Sequence, residues 1–145
     1  MSSYFKWVIF SALLLALPIG AAEPPTPLAE LPVLDSKLVP PEEYGTASAF
    51  AARGNAPLDI ALKIVGKFEG STQHIIEVNG GSESPSASRI TVLRDVLMDD
   101  SVKSERWDIA LQKTAESTWS IKEIRRSWRC WRGGKTNGFA SKLCP

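Results

Sequence analysis

A chain of 145 residues has room for one domain, and a hydrophobic fraction of 43% is enough to build its core. With 17 basic and 16 acidic residues its net charge is +1, which excludes a general electrostatic attraction to nucleic acid or to an anionic membrane. One histidine and two cysteines leave no zinc ligand set and little material for catalytic triads.

Residues 1–22, MSSYFKWVIFSALLLALPIGAA, carry Lys6 as their only charge. The apolar run from Trp7 to Ile19 is shorter than the roughly 20 residues of a bilayer span. Gly20, Ala21 and Ala22 then give small side chains ahead of Glu23. This pattern reads as a secretory signal peptide cleaved after about Ala22, with an uncleaved anchor as the alternative. The expectation is a periplasmic or secreted protein with no stable membrane span after cleavage. Beyond the signal the charge is divided. Residues 23–121 hold 9 Lys/Arg against 15 Asp/Glu, whereas residues 122–145 hold 7 against Glu123 alone.

Residues 23–41, EPPTPLAELPVLDSKLVPP, contain six prolines, which stop regular structure and predict an extended leader. Leu28, Leu31, Val33, Leu34 and Leu38 make it too apolar for a purely solvated linker, so part of it is expected along the domain surface. The domain proper is read as 42–145. Pro41, Glu42 and Glu43 suit the start of a short helix that presents Ala47, Phe50 and Ala51 on one face and ends at Gly54. In NAPLDIALKIVG, residues 55–66, the apolar positions fit both alternation and helical spacing. Asn55 as cap, Pro57 in the first turn and Gly66 past the end favour a helix, with a strand as the alternative.

The second half reads as a meander of four strands: 73–78, 89–99, 105–113 and 118–132. The turns fall at Asn79–Gly80–Gly81, at Asp99–Asp100–Ser101 and at Ala115–Glu116–Ser117. Trp107, Ile109 and Leu111 share one face of the third strand, and Arg106, Asp108 and Gln112 the other. In the fourth strand Ile124 falls out of phase with Trp119 and Ile121, which predicts a bulge near Lys122–Glu123. The expected fold is α+β, with two short N-terminal helices packed on a curled four-stranded antiparallel sheet. Its element order resembles cystatin/NTF2-like architecture, a likeness of form that carries no function.

Catalytic candidates are few. His74 has no partner set in view and reads as structural. Asp95, Asp99 and Asp100 are carboxylates of the type a hydrolase pairs across a cleft, but aspartates in a turn ordinarily serve the backbone. The segment 98–105 lacks the glycine and spacing of an EF-hand loop. No glycine-bearing segment has P-loop spacing, so no nucleotide, metal or other cofactor is expected.

The terminal stretch SWRCWRGGKTNGFASKLCP, residues 127–145, concentrates charge, indoles and both cysteines. After export, Cys130 and Cys144 are expected to pair, since the thirteen-residue gap is not a redox motif and His74 alone completes no metal site. Arg125, Arg129 and Trp131 would share a strand face, with Arg132, Lys135 and Lys142 in the tail. Arginines interleaved with an exposed indole can hold phosphate or carboxylate and stack on flat ligands. The alternative is internal neutralisation, with these arginines paired to acids on neighbouring strands.

The same region, from DVLMDDSVKSERWDIAL through WSIKEIRRSWRCWRGG to LCP, resembles a group of small exported bacterial proteins. Their tails carry a tryptophan–arginine–cysteine stretch, a glycine-rich segment and a second cysteine. Trp128, Arg129, Cys130, Gly133, Gly134 and Cys144 match, over roughly residues 55–145. Members often carry a Gly-Arg-Gly-His run after the first cysteine, and this chain has WRGGKTNG instead. The resemblance implies the disulfide and a periplasmic setting in a Gram-negative cell, and brings no activity. The expected function is a small binding or accessory protein whose ligand site is Arg125, Arg129, Trp131, Arg132 and Lys135. Its partner would be an anionic envelope component or an acidic protein. A carboxylate-based envelope hydrolase and a purely structural envelope component are the competing expectations.

Overall fold

A computed structural model describes residues 26–51, 56–81, 83–133 and 137–145. The expected signal peptide, the helix end at Gly54, the cap at Asn55, and Gly134 and Lys135 of the tail lie outside the described residues. So do the side chains of Phe50 and Ala51.

The chain is α+β, as the alternation of helical and strand patterns implies. Helix α1 (Pro41–Ala51) and helix α2 (Pro57–Val65) precede most of a five-stranded antiparallel sheet. The strands are β1 (Lys37–Leu38), β2 (Gly70–Gly80), β3 (Ala87–Leu97), β4 (Val102–Lys113) and β5 (Trp119–Cys130), in spatial order β1-β5-β4-β3-β2. Residues 57–65 are therefore helical, the reading the punctuation favoured. Pro57 supplies a first-turn ring that needs no donor. Gly66 closes the helix at φ +67, where its N–H reaches Leu62 O at 3.1 Å. The cap position is Ala56, which offers no side-chain hydrogen bond. Helix α1 is kinked at Tyr44, whose φ of −126° leaves the helical region.

The sheet has five strands where four were expected. The additional one comes from the leader: Lys37 pairs with Arg126 and Leu38 with Arg125. Two residues give too short an alternation to be seen among prolines. Elsewhere the expected strands stand with shifted ends: β2 and β4 run longer than expected, β3 keeps its length but starts and ends two residues earlier, and β5 stops at Cys130, short of the expected 132. Ala110 pairs with Glu123 but Leu111 with Ile121, so Lys122 is the extra residue of a bulge. That bulge lets Trp119 and Ile121 share a face with Ile124.

One face of the sheet carries the main core. Ile90 and Val92 of β3, Trp107, Ile109 and Leu111 of β4 and Ile124 of β5 meet Ile60, Ala61 and Val65 of α2. The opposite face carries a smaller core in which Leu93 packs against Leu28 of a 3-10 turn (Leu28–Glu30) and Phe139 of the tail. Leader and tail thus cover one end of that face, and among the described residues the other end stays open.

Candidate functional site

The tail is built as a clasp. Cys130 and Cys144 form a disulfide with their Cα atoms 5.5 Å apart. Trp128 and Ala140 exchange both backbone hydrogen bonds at 2.9 Å, so the tail adds itself to the outer edge of β5. The leader then lies on the tail: Phe139 N donates to Pro32 O at 2.9 Å and Leu34 N to Phe139 O at 2.8 Å. Gly138 permits this approach, since a Cβ there would sit 2.7 Å from Pro32 O. Phe139 is wholly buried and pins the arrangement. Ser141 Oγ donates to a carboxylate oxygen of Asp35, and that bond, with the Ser36 N–H, holds the Asp35 carboxyl below the usual 3.8.

The arginines of β5 divide between the two faces. Arg126 points to the helix side. There its guanidinium lies 4.2 Å from the ring centre of Trp107 and 5.0 Å from that of Trp128, and it donates to Glu105 at 2.8 Å. Glu105 also holds Arg94 at 3.2 Å, and both of those side chains are more than nine-tenths buried. Arg94 in turn donates to the Val65 and Gly66 carbonyls at the end of α2, at 2.9 and 2.5 Å. This Arg94–Glu105–Arg126 chain ties helix to sheet. Separated in sequence and brought together only by strand register, it gave no signal in the chain.

Arg125 and Arg129 lie on the opposite face, in different surroundings. Arg129 is largely buried and spends its guanidinium on Asp95 at 3.2 Å and Ser104 Oγ at 3.1 Å. Arg125 is half-exposed, bound to Glu123 of its own strand at 2.8 Å and to Ser36 Oγ of the leader at 3.3 Å. Trp131 is half-exposed just past β5, with the Lys103 ammonium 4.8 Å from its ring centre. Arg132 is exposed.

Around Arg125 the open face forms a cup of about 260 Å³. Arg89, Arg106 and Arg125, from three adjacent strands, stand at its wall with Asp108 and Glu123, and Ala110 is the small residue between Arg89 and Glu123 in the register. Asp108 clamps Arg106 through both oxygens, at 2.7 and 2.9 Å, and accepts from Thr91 Oγ1 at 2.7 Å. Arg89 is exposed and has no ion pair among the described residues. Sequence reasoning missed Arg89 and Arg106 because they lie on other strands, outside the basic run.

A larger cleft of about 910 Å³ lies between leader and clasp, walled by Leu34, Asp35, Trp128, Cys130, Ser141 and Leu143. His74 is exposed on β2, paired in register with Leu93. Asp99 accepts from Val102 N at 2.6 Å and Ser101 N at 2.8 Å, the turn role its position implied, and those bonds lower its pKa. Among the described residues no three His, Cys, Asp or Glu side chains are grouped to hold a metal, and no helix is long and apolar enough to cross a membrane.

No family model matches the chain, and neither a curated protein nor a solved structure does.

Proposed function

We propose that the protein is exported and acts as a small binding protein that takes the carboxylate or phosphate groups of an anionic envelope component on the open face of its sheet. The observation that carries this reading is the cup in which Arg89, Arg106 and Arg125 converge from three neighbouring strands. Arg89, exposed and without an ion pair among the described residues, offers a planar fork of donors, the geometry that suits bidentate recognition of such groups. An incoming anion can also replace the half-exposed Glu123 on Arg125, at the cost of only a solvated ion pair. Trp131 and Arg132 lie past the end of β5 and do not line the cup, and Arg129 is spent on Asp95 and Ser104, so the site is narrower than the basic run of the tail.

A hydrolytic reading finds less support. It needs a carboxyl group held protonated near neutral pH, whereas hydrogen bonds pull Asp35 and Asp99 the other way. Two helices over one face of an antiparallel sheet support a cystatin/NTF2-like architecture, which we propose with the binding role and which implies no chemistry of its own.

The test is affinity capture from envelope extract across a salt series. Wild type should retain an anionic component at low salt and lose it as salt rises. Arg89→Ala with Arg125→Ala should abolish retention while the melting temperature stays near wild type, because both side chains are exposed or half-exposed. Retention that ignores salt and survives both substitutions would move the site to the cleft beside the clasp.

A further inference from the structure

The two edges of the sheet are treated differently. On the β5 side, β1 and Ala140 take up the outward backbone groups. On the other side β2 runs for eleven residues with no strand beyond it among the described residues. Its sequence, GSTQHIIEVNG, has no proline and no lysine, the residues that commonly block an open edge. Ile75, Ile76 and Val78 are exposed at 40%, 41% and 61%. An open strand of this length and character is a template for another strand.

The hydrogen-bond phase tells which residues face outward. Lys113 N donates to Ser86 O, so the even positions of β3 bond to β4 and the odd ones to β2. The partners of odd β3 residues are Thr72, His74, Ile76 and Val78, which turn their backbone groups inward. Ser71, Gln73, Ile75, Glu77 and Asn79 are left with N–H and C=O directed away from the sheet.

From this phase and the residue order we infer that β2 pairs antiparallel with β2 of a second copy, about a twofold axis at Ile75, joining two sheets into one. In that register outward residues meet outward residues, as antiparallel pairing requires. Ile75 faces Ile75, Gln73 faces Glu77, and the glycines 70 and 80 close both ends. Arg94 Nε already occupies the Gln73 side-chain oxygen at 2.9 Å, so the Gln73 NH₂ is the group left to donate to the Glu77 carboxylate of the second copy. On the face away from the helices His74 lies beside Ile76 and Thr72 beside Val78, which covers the exposed apolar side chains. Shifting the register by two residues either way sets Ile75 against Glu77 or Gln73, and shifting it by four one way sets Glu77 against Glu77. The centred register sets Ile75 against Ile75 and the Gln73 amide against the Glu77 carboxylate, pairings that neither shift by two gives. The strand is thus self-complementary, as a twofold interface must be.

The experiment is sedimentation equilibrium on the full chain from micromolar to millimolar concentration. Wild type should dimerise reversibly, and the amides of Gln73, Ile75 and Glu77 should slow in hydrogen exchange as the dimer fills. Ile75→Lys and Ile75→Glu each place like charges across the axis and should raise the dissociation constant roughly tenfold or more. Both should keep the wild-type circular dichroism spectrum, since Ile75 is 40% exposed. Mixed in equal amounts, they should form a heterodimer. A wild type that stays monomeric throughout would overturn the inference. So would a dimer that persists undiminished in Ile75→Lys, or a mixture of the two variants that does not pair.

Discussion

Replacing both Cys130 and Cys144 by serine separates two things a clasp can do. The bond spans a sequence separation of 14, and in the chain-entropy account a closed loop of about 15 residues constrains the unfolded chain by about 3 kcal/mol. For a domain of this size that corresponds to a melting temperature lower by about 10–15 °C. The native tail has other anchors. Phe139 is wholly buried, a contribution of about 2 kcal/mol, and four backbone hydrogen bonds join Trp128, Ala140, Phe139, Pro32 and Leu34, each worth about 1 kcal/mol. The bond should therefore act mainly on the unfolded state, and the tail of the variant should remain docked. Urea unfolding followed by tryptophan fluorescence gives the stability, and amide exchange at Phe139 and Ala140 gives the docking. Loss of protection at those two amides under native conditions would refute this reasoning, because the disulfide would then be holding a tail that has no affinity of its own. An unchanged urea midpoint would refute it from the other side.

Glu105→Ala should cost about 3–5 kcal/mol, because it leaves the buried Arg94 guanidinium without a countercharge and releases Arg126 from between its tryptophans. A loss below about 1 kcal/mol in urea unfolding, the scale of a surface pair, would show that the chain of charges is solvated. The Asp35 contact with Ser141 should respond to acid alone. Its carboxyl pKa is lowered on folding, so the contribution is complete above the ordinary 3.8 and is lost as pH falls through the lowered value. Carbon-detected NMR titration of Asp35 should give a midpoint below 3.8 that returns upward in Ser141→Ala. A midpoint at or above the ordinary value in wild type would show that this contact does not form.

Much of the fold was legible because it rests on local rules. Proline and glycine at the two ends of 57–65 marked a helix where periodicity was ambiguous, and Gly66 takes the left-handed conformation that glycine makes inexpensive. Alternation gave the faces of β4, and a single phase error in β5 located the bulge at Lys122. The pairing of Cys130 with Cys144 followed from there being two cysteines and a presumed oxidising compartment.

What the sequence by itself determined, then, is roughly where the two helices and four of the five strands lie and which side of β4 and of the start of β5 is apolar, since side-chain periodicity is a property of the local backbone. Tertiary structure alone decided that the proline-rich leader becomes a fifth strand and a cover for Phe139, and that Arg129 is buried against Asp95 while Arg125 meets solvent. It alone gathered Arg89, Arg106 and Arg125 into one cup and linked Arg94 to Arg126 through Glu105. These outcomes depend on strand order and register, which join residues tens of positions apart. A charge run read along the chain cannot reveal which of its members will find a carboxylate on the next strand.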